Sequence, residues 1–124
     1  MTGQEEIKFQ DIAELCVEYW KLEKVARKMI DNIETKQSAR FNGQINFSAR
    51  QLETLCNRFE FKLVDFSGQE YKDGMPITAE NLTDFPEVSS LVISKSIEPA
   101  VIRKSKILRT GRVLLALSDN KEIS

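Results

Sequence analysis

The sequence predicts an α+β protein: an N-terminal long heptad-patterned helix, a short helix, then a compact C-terminal all-β unit of five to six short strands. Three observations predict it. Apolar residues recur at helical spacing through the first sixty positions. From about Phe61 the apolar period drops to two. Turn chemistry then interrupts the chain at Ser67–Pro76, at Phe85-Pro86-Glu87 and at Thr110-Gly111. The implied division is a helical dimerisation region over 1–60, a small β domain over 61–118 and a polar, frayed tail over 119–124.

The first helix is predicted from Glu5 to Ser38, a stretch without Pro or Gly. Ile12, Leu15, Tyr19, Leu22, Ala26, Met29 and Ile33 are spaced alternately three and four apart, an unbroken heptad register. Cys16, Trp20 and Val25 widen that stripe on one flank. Glu5, Glu6, Asp11 and Glu14 crowd the start, where negative charge complements the helix dipole. The heptad face has two possible uses, packing on the second helix or pairing with another copy as a homodimer. Gly43 and its polar neighbours are expected to end the helix. Ser48-Ala49-Arg50-Gln51 reads as a capping box. It opens a short helix with Leu52, Leu55, Cys56 and Phe59 on one face.

In the second half, Glu60–Phe66, Ile77–Leu82 and Ser90–Ile97 read as strands, the last closed by Pro99. Val101–Arg103 and Lys106–Leu108 form a hairpin turning at Lys104-Ser105. Val113–Leu117 is the final strand. Within Ser67–Pro76, Asp73-Gly74 is turn chemistry, the Gly supplying positive φ. Asp65, Glu70 and Asp73 lie near that loop and read as solvated rather than as a paired-carboxylate site.

Composition narrows the function. Eighteen Lys and Arg stand against 19 Asp and Glu, a net charge of −1. With no histidine, the commonest general base and zinc ligand are missing. Cys16 and Cys56 form no CxxC pair and read as buried reduced thiols. No phosphate-cradling or nucleophile motif is present. The expectation is a non-enzymatic protein with no cofactor and no metal. No apolar run suffices for a membrane span, and the N-terminus lacks the order of a signal peptide, so a cytoplasmic protein is expected. Charge is uneven: residues 63–99 hold two basic and seven acidic side chains, whereas 100–112 hold Arg103, Lys104, Lys106, Arg109 and Arg112 and no acid. Strand alternation puts Arg103 and Lys106 on the solvent side, opposite Ile102 and Ile107. This strip reads as a docking face for an acidic protein or as a solvated face. Without aromatic platforms beyond Phe85, nucleic acid is the lesser alternative.

The order of parts, and residues 63–117 in particular, resemble GrpE, the nucleotide exchange factor of DnaK-type chaperones. Three segments carry the resemblance. Val92-Ile93-Ser94-Lys95-Ser96-Ile97-Glu98-Pro99-Ala100-Val101 is similar to the strand before the family's last hairpin. Lys106-Ile107-Leu108-Arg109-Thr110-Gly111-Arg112-Val113-Leu114-Leu115-Ala116 resembles its closing pattern. Asp65-Phe66-Ser67-Gly68-Gln69-Glu70-Tyr71-Lys72-Asp73-Gly74-Met75 is similar to the loop of a short, divergent branch. The chain departs at Ser105 and Lys106, where the family pattern has Gly and Arg. The resemblance implies a homodimeric co-chaperone whose β domain docks on a DnaK-type or actin-like ATPase and favours nucleotide release. It places cationic contacts at Lys106 and Arg109, within a partner face of Arg103, Lys106, Arg109 and Arg112, and an apolar contact at Leu115. The alternative is a structural or scaffolding subunit that keeps the fold within another assembly.

Overall fold

A computed structural model describes residues 2–33, 35–86 and 90–118. The architecture is α+β, two helices followed by six strands in two sheets. The chain divides into two compact units between Lys62 and Leu63. The predicted tail 119–124 and Glu87 of the predicted turn lie outside the described residues, as do the side chains of Glu5 and Glu6.

In the helical unit, α1 spans Thr2–Ile30 and α2 spans Thr35–Arg58. Both predicted boundaries between them move. α1 ends at Ile30, eight residues short of Ser38. Its last turn tightens: the Asn32 and Ile33 amides donate to the Met29 and Ile30 carbonyls, and Asn32 Nδ2 donates to the Lys28 carbonyl at 3.3 Å. These bonds take up carbonyls that a helix end leaves open. Gly43, expected as a breaker, lies inside α2, and Ser48 opens nothing. An exposed Gly costs a helix about 1 kcal/mol, and the seam that α2 buries outweighs it. That seam is Ser38, Asn42, Ile45, Ala49, Leu52 and Cys56, four and three apart in alternation, followed by Phe59, all buried or half-buried. α1 runs antiparallel to α2, with Cys16 meeting Cys56 and Arg27 reaching Asn46. At the open end of this hairpin the Phe59 and Phe61 rings stack at 5.6 Å and Phe9 meets both edge-on.

The β unit has six strands: β1 (Phe61–Val64), β2 (Ile77–Ala79), β3 (Leu91–Glu98), β4 (Ala100–Arg103), β5 (Lys106–Arg109) and β6 (Gly111–Leu117). They form two sheets, ordered β1-β4-β5 and β2-β6-β3. β6 begins two residues earlier than predicted and its burial alternates, with Val113 and Leu115 inward. They join Phe66, Leu91, Ile93 and Ala100 in the core. β2 is shorter than predicted because its main-chain ladder on β6 ends at Ala79. The Asn81 side chain replaces it: Nδ2 donates to the Leu115 carbonyl at 3.0 Å and Oδ1 accepts from the Leu115 amide at 2.9 Å. A 3-10 turn over Leu82–Asp84 follows. In β3, a register shift between Ile93 and Lys95 changes the parity of the strand. Leu91 and Ile93 face inward before it, Ser96 and Glu98 after it.

Gly111 starts β6 against the Glu98-Pro99-Ala100 corner. A Cβ there would lie 3.0 Å from Glu98 O and from Ala100 N. Both are backbone atoms, which cannot swing aside. Gly111→Ala is expected to cost the β unit roughly 1–3 kcal/mol, the usual penalty for overpacking. A lower urea midpoint at unchanged m-value would register it; an unchanged midpoint would show that the corner yields.

Candidate functional site

Each unit presents one surface built from the residues that the sequence singles out. On the helical unit it is the predicted heptad face of α1. The side of α1 that meets α2 is a different register: Phe9, Ala13, Cys16, Trp20, Glu23, Arg27 and Ile30, again four and three apart, with Val17 fully buried beside it. The two polar members of this inner seam satisfy each other. Arg27 Nε donates to Glu23 Oε2 at 2.9 Å and its Nη2 donates to Asn46 at 3.0 Å. Sequence reading missed this seam because Glu23 and Arg27 interrupt its apolar pattern. The continuing spacing of Phe9, Ala13, Cys16 and Trp20 was the available signal.

The predicted face is therefore left on the outside. Leu15, Leu22 and Met29 are 70%, 69% and 67% exposed, and Tyr19 is also exposed. Ile12 and Ala26 are half-buried at its border. Ile33 lies in the turn after α1 rather than on the helix. On α2, Phe41 and Leu55 are also exposed. Between the helices runs a groove of about 350 Å³ lined by Tyr19, Leu22, Ala26, Ile45 and Ser48. One polar contact holds its wall, the Tyr19 hydroxyl donating to the Ser48 carbonyl at 3.1 Å.

On the β unit the surface is the β4–β5 hairpin. Arg103 and Lys106 pair across it and flank the predicted two-residue turn. Lys104 and Ser105 both have positive φ, 48° and 68°, as in the primed turns that match strand twist. Neither residue suits that backbone. Ser105→Gly is expected to raise stability by about 1 kcal/mol, since the left-handed region penalises a Cβ. Denaturant melts of the two proteins measure this directly, and a fall in stability would contradict it. Ile107, expected inward, is 49% exposed on edge strand β5. The hairpin therefore offers a lysine on one face and an isoleucine on the other.

Arg109 and Arg112 pair with acidic side chains. Arg109 Nη2 donates to Glu98 Oε1 at 2.7 Å. Arg112 hydrogen-bonds Glu80, which holds its guanidinium above the ordinary value, and approaches Glu98 at 3.8 Å. Leu115, assigned by the resemblance to an apolar contact, is 3% exposed and belongs to the core. Core packing accounts for it, and its side chain offers no surface.

The Asp65 carboxylate, in the 65–76 loop, serves the fold. Asp65 Oδ1 accepts the Ser67 amide at 2.8 Å. Gly68 and Tyr71 donate to the Ile93 and Leu91 carbonyls, and Gln69 accepts the Ile93 amide, so the loop covers the edge of β3. Glu70 and Asp73 border an open cleft with Tyr71 and Phe85. Among the described residues no three His, Cys, Asp or Glu side chains gather as a metal site, and no helix is long and apolar enough to cross a membrane. Comparison with family models, curated proteins and solved structures finds no match to this chain.

Proposed function

We propose that this protein is a non-catalytic adaptor that pairs with a second copy through the outer face of α1 and docks its β unit on a DnaK-type or actin-like ATPase, favouring nucleotide release. The observation that carries the pairing is the exposure of Leu15, Leu22 and Met29 at heptad spacing while α1 already packs on α2 by another seam. A helix with two seams suits a bundle in which each α1 meets both its own α2 and the partner α1. The docking half of the proposal draws on the resemblance of residues 63–117 to GrpE and on the exposed hairpin residues Lys106 and Ile107, with Arg103 beside them. Nucleotide release requires no bond chemistry. A protein that binds the open form of an ATPase cleft more tightly than the closed form shifts the cleft open by that difference in affinity.

The test is ADP release from a purified DnaK-type ATPase, followed with a fluorescent nucleotide. The parent protein is expected to speed release, and Arg103→Ala with Lys106→Ala to reduce the acceleration at least tenfold while leaving the fold intact. No acceleration by well-folded parent protein would sink the exchange reading. A specific observation favours the second reading, a scaffolding subunit: Arg109 and Arg112 are paired with Glu98 and Glu80 of their own chain. On that reading the protein pairs normally and leaves ADP release unchanged.

A further inference from the structure

We propose that Cys16 and Cys56 are a redox pair, which a peroxide converts to an intramolecular disulfide that fastens α1 to α2. The two cysteines are far apart in sequence, and the antiparallel hairpin brings them to facing positions of its inner seams. Their sulfurs are 3.9 Å apart, the Cys56 thiol donating to Cys16. Both are free and buried, 7% and 6% exposed. Among the described residues no third metal-ligating side chain gathers with them.

The chemistry balances with a peroxide as the oxidant. The Cys16 thiolate attacks one oxygen of hydrogen peroxide and the O–O bond breaks. This leaves Cys16 as a sulfenic acid, and the departing hydroxide takes a proton to become water. Cys56 then attacks the Cys16 sulfur as its own proton passes to the leaving hydroxyl. The S–S bond forms and a second water departs. Two thiols have lost two electrons, and one peroxide has gained them. Burial sets the tempo. It raises both thiols above their ordinary range, Cys56 to about 12, and the hydrogen bond from Cys56 partly offsets the rise at Cys16. Cys16, which accepts the Cys56 S–H, is the sulfur placed to react, and burial makes its oxidation slow at neutral pH. Once its sulfenic acid forms, Cys56 lies beside it and reacts before a second peroxide arrives. Leu15 and Leu22 are exposed whereas Cys16 is buried, so the bond leaves the outer face available.

The test uses the full chain treated with hydrogen peroxide at neutral pH, then denatured and alkylated. A loss of 2 Da, no alkylation, and a linked peptide joining Cys16 to Cys56 within one chain are expected, with dithiothreitol restoring both thiols. The melting temperature of the helical signal should rise by at least about 5 °C on oxidation, since a cross-link of this loop length restrains the unfolded chain strongly. Cys16→Ser and Cys56→Ser, made separately, should each lose the rise. Should either variant fail to fold, mass and peptide mapping of the parent still decide. The proposal is overturned if both thiols remain alkylatable after a dose that oxidises the denatured chain, if Cys16 accumulates as sulfinic acid, or if the disulfides join different chains.

Discussion

Leu22→Asp is expected to reduce the mass in solution from twice the chain mass to that of a single 14.2 kDa chain. Leu22 is largely exposed on the isolated helical unit, so a carboxylate there costs the single chain little. On the proposed pair the same carboxylate would leave water and face its symmetry mate. Each copy would lose about 1.5–3 kcal/mol of apolar burial and pay in addition for a buried charge. That weakens association by at least about a hundredfold. Helical circular dichroism should stay at the parent level. Val17→Asp is the contrasting control: Val17 is fully buried, and its replacement should unfold the helical unit. Light scattering that finds the parent already a single chain, or Leu22→Asp still paired, would remove the outer face of α1 as an interface.

Glu98→Gln should cost the β unit about 3 kcal/mol, the lower part of the range for breaking a buried ion pair. The Glu98 side chain is 4% exposed, and that of Arg109, which it holds at 2.7 Å, is 22% exposed. The amide keeps the shape and removes the charge, leaving the Arg109 guanidinium at a largely dry site without its carboxylate. Partial solvation of Arg109 keeps the cost at the low end. Glu80→Gln breaks the more exposed pair with Arg112 and should change stability much less, as surface ion pairs do. Denaturant midpoints of the two variants separate these cases. Equal losses would mean that Glu98 acts through packing alone.

The predicted strands from Glu60 onward overlap the observed ones, and the Lys104-Ser105 turn falls where expected; of the Thr110-Gly111 break only Thr110 lies between strands, Gly111 opening β6. Local signals governed those positions: alternation of period two, a two-residue turn between β4 and β5, and glycine at a close backbone contact. The helices were less legible. Gly43 and Ser48 carry breaker and cap signals that α2 overrides, because each is a local preference of about 1 kcal/mol set against a buried seam of seven positions. The turn after Ile30 carries no Pro or Gly; its local signal is Asn32, whose side chain takes up the Lys28 carbonyl, and the pairing of α1 with α2 supports the reversal.

The candidate surfaces divide in the same way. The heptad face was readable because its period is regular. Its exposure was not, since the choice between two registers on α1 depends on which one α2 matches. The basic strip was readable as composition. Where its members end up was not: Arg109 pairs with Glu98, which a register shift in β3 turns inward, Arg112 pairs with the more exposed Glu80, and Lys106 stays exposed beside the turn. Sequence periodicity alone thus settles the α+β class, the order of the elements and the existence of an amphipathic first helix, because these depend on neighbours within a turn or a strand. Which face of that helix is covered, and which arginines are neutralised, are decided by tertiary packing, because each depends on a partner many residues away.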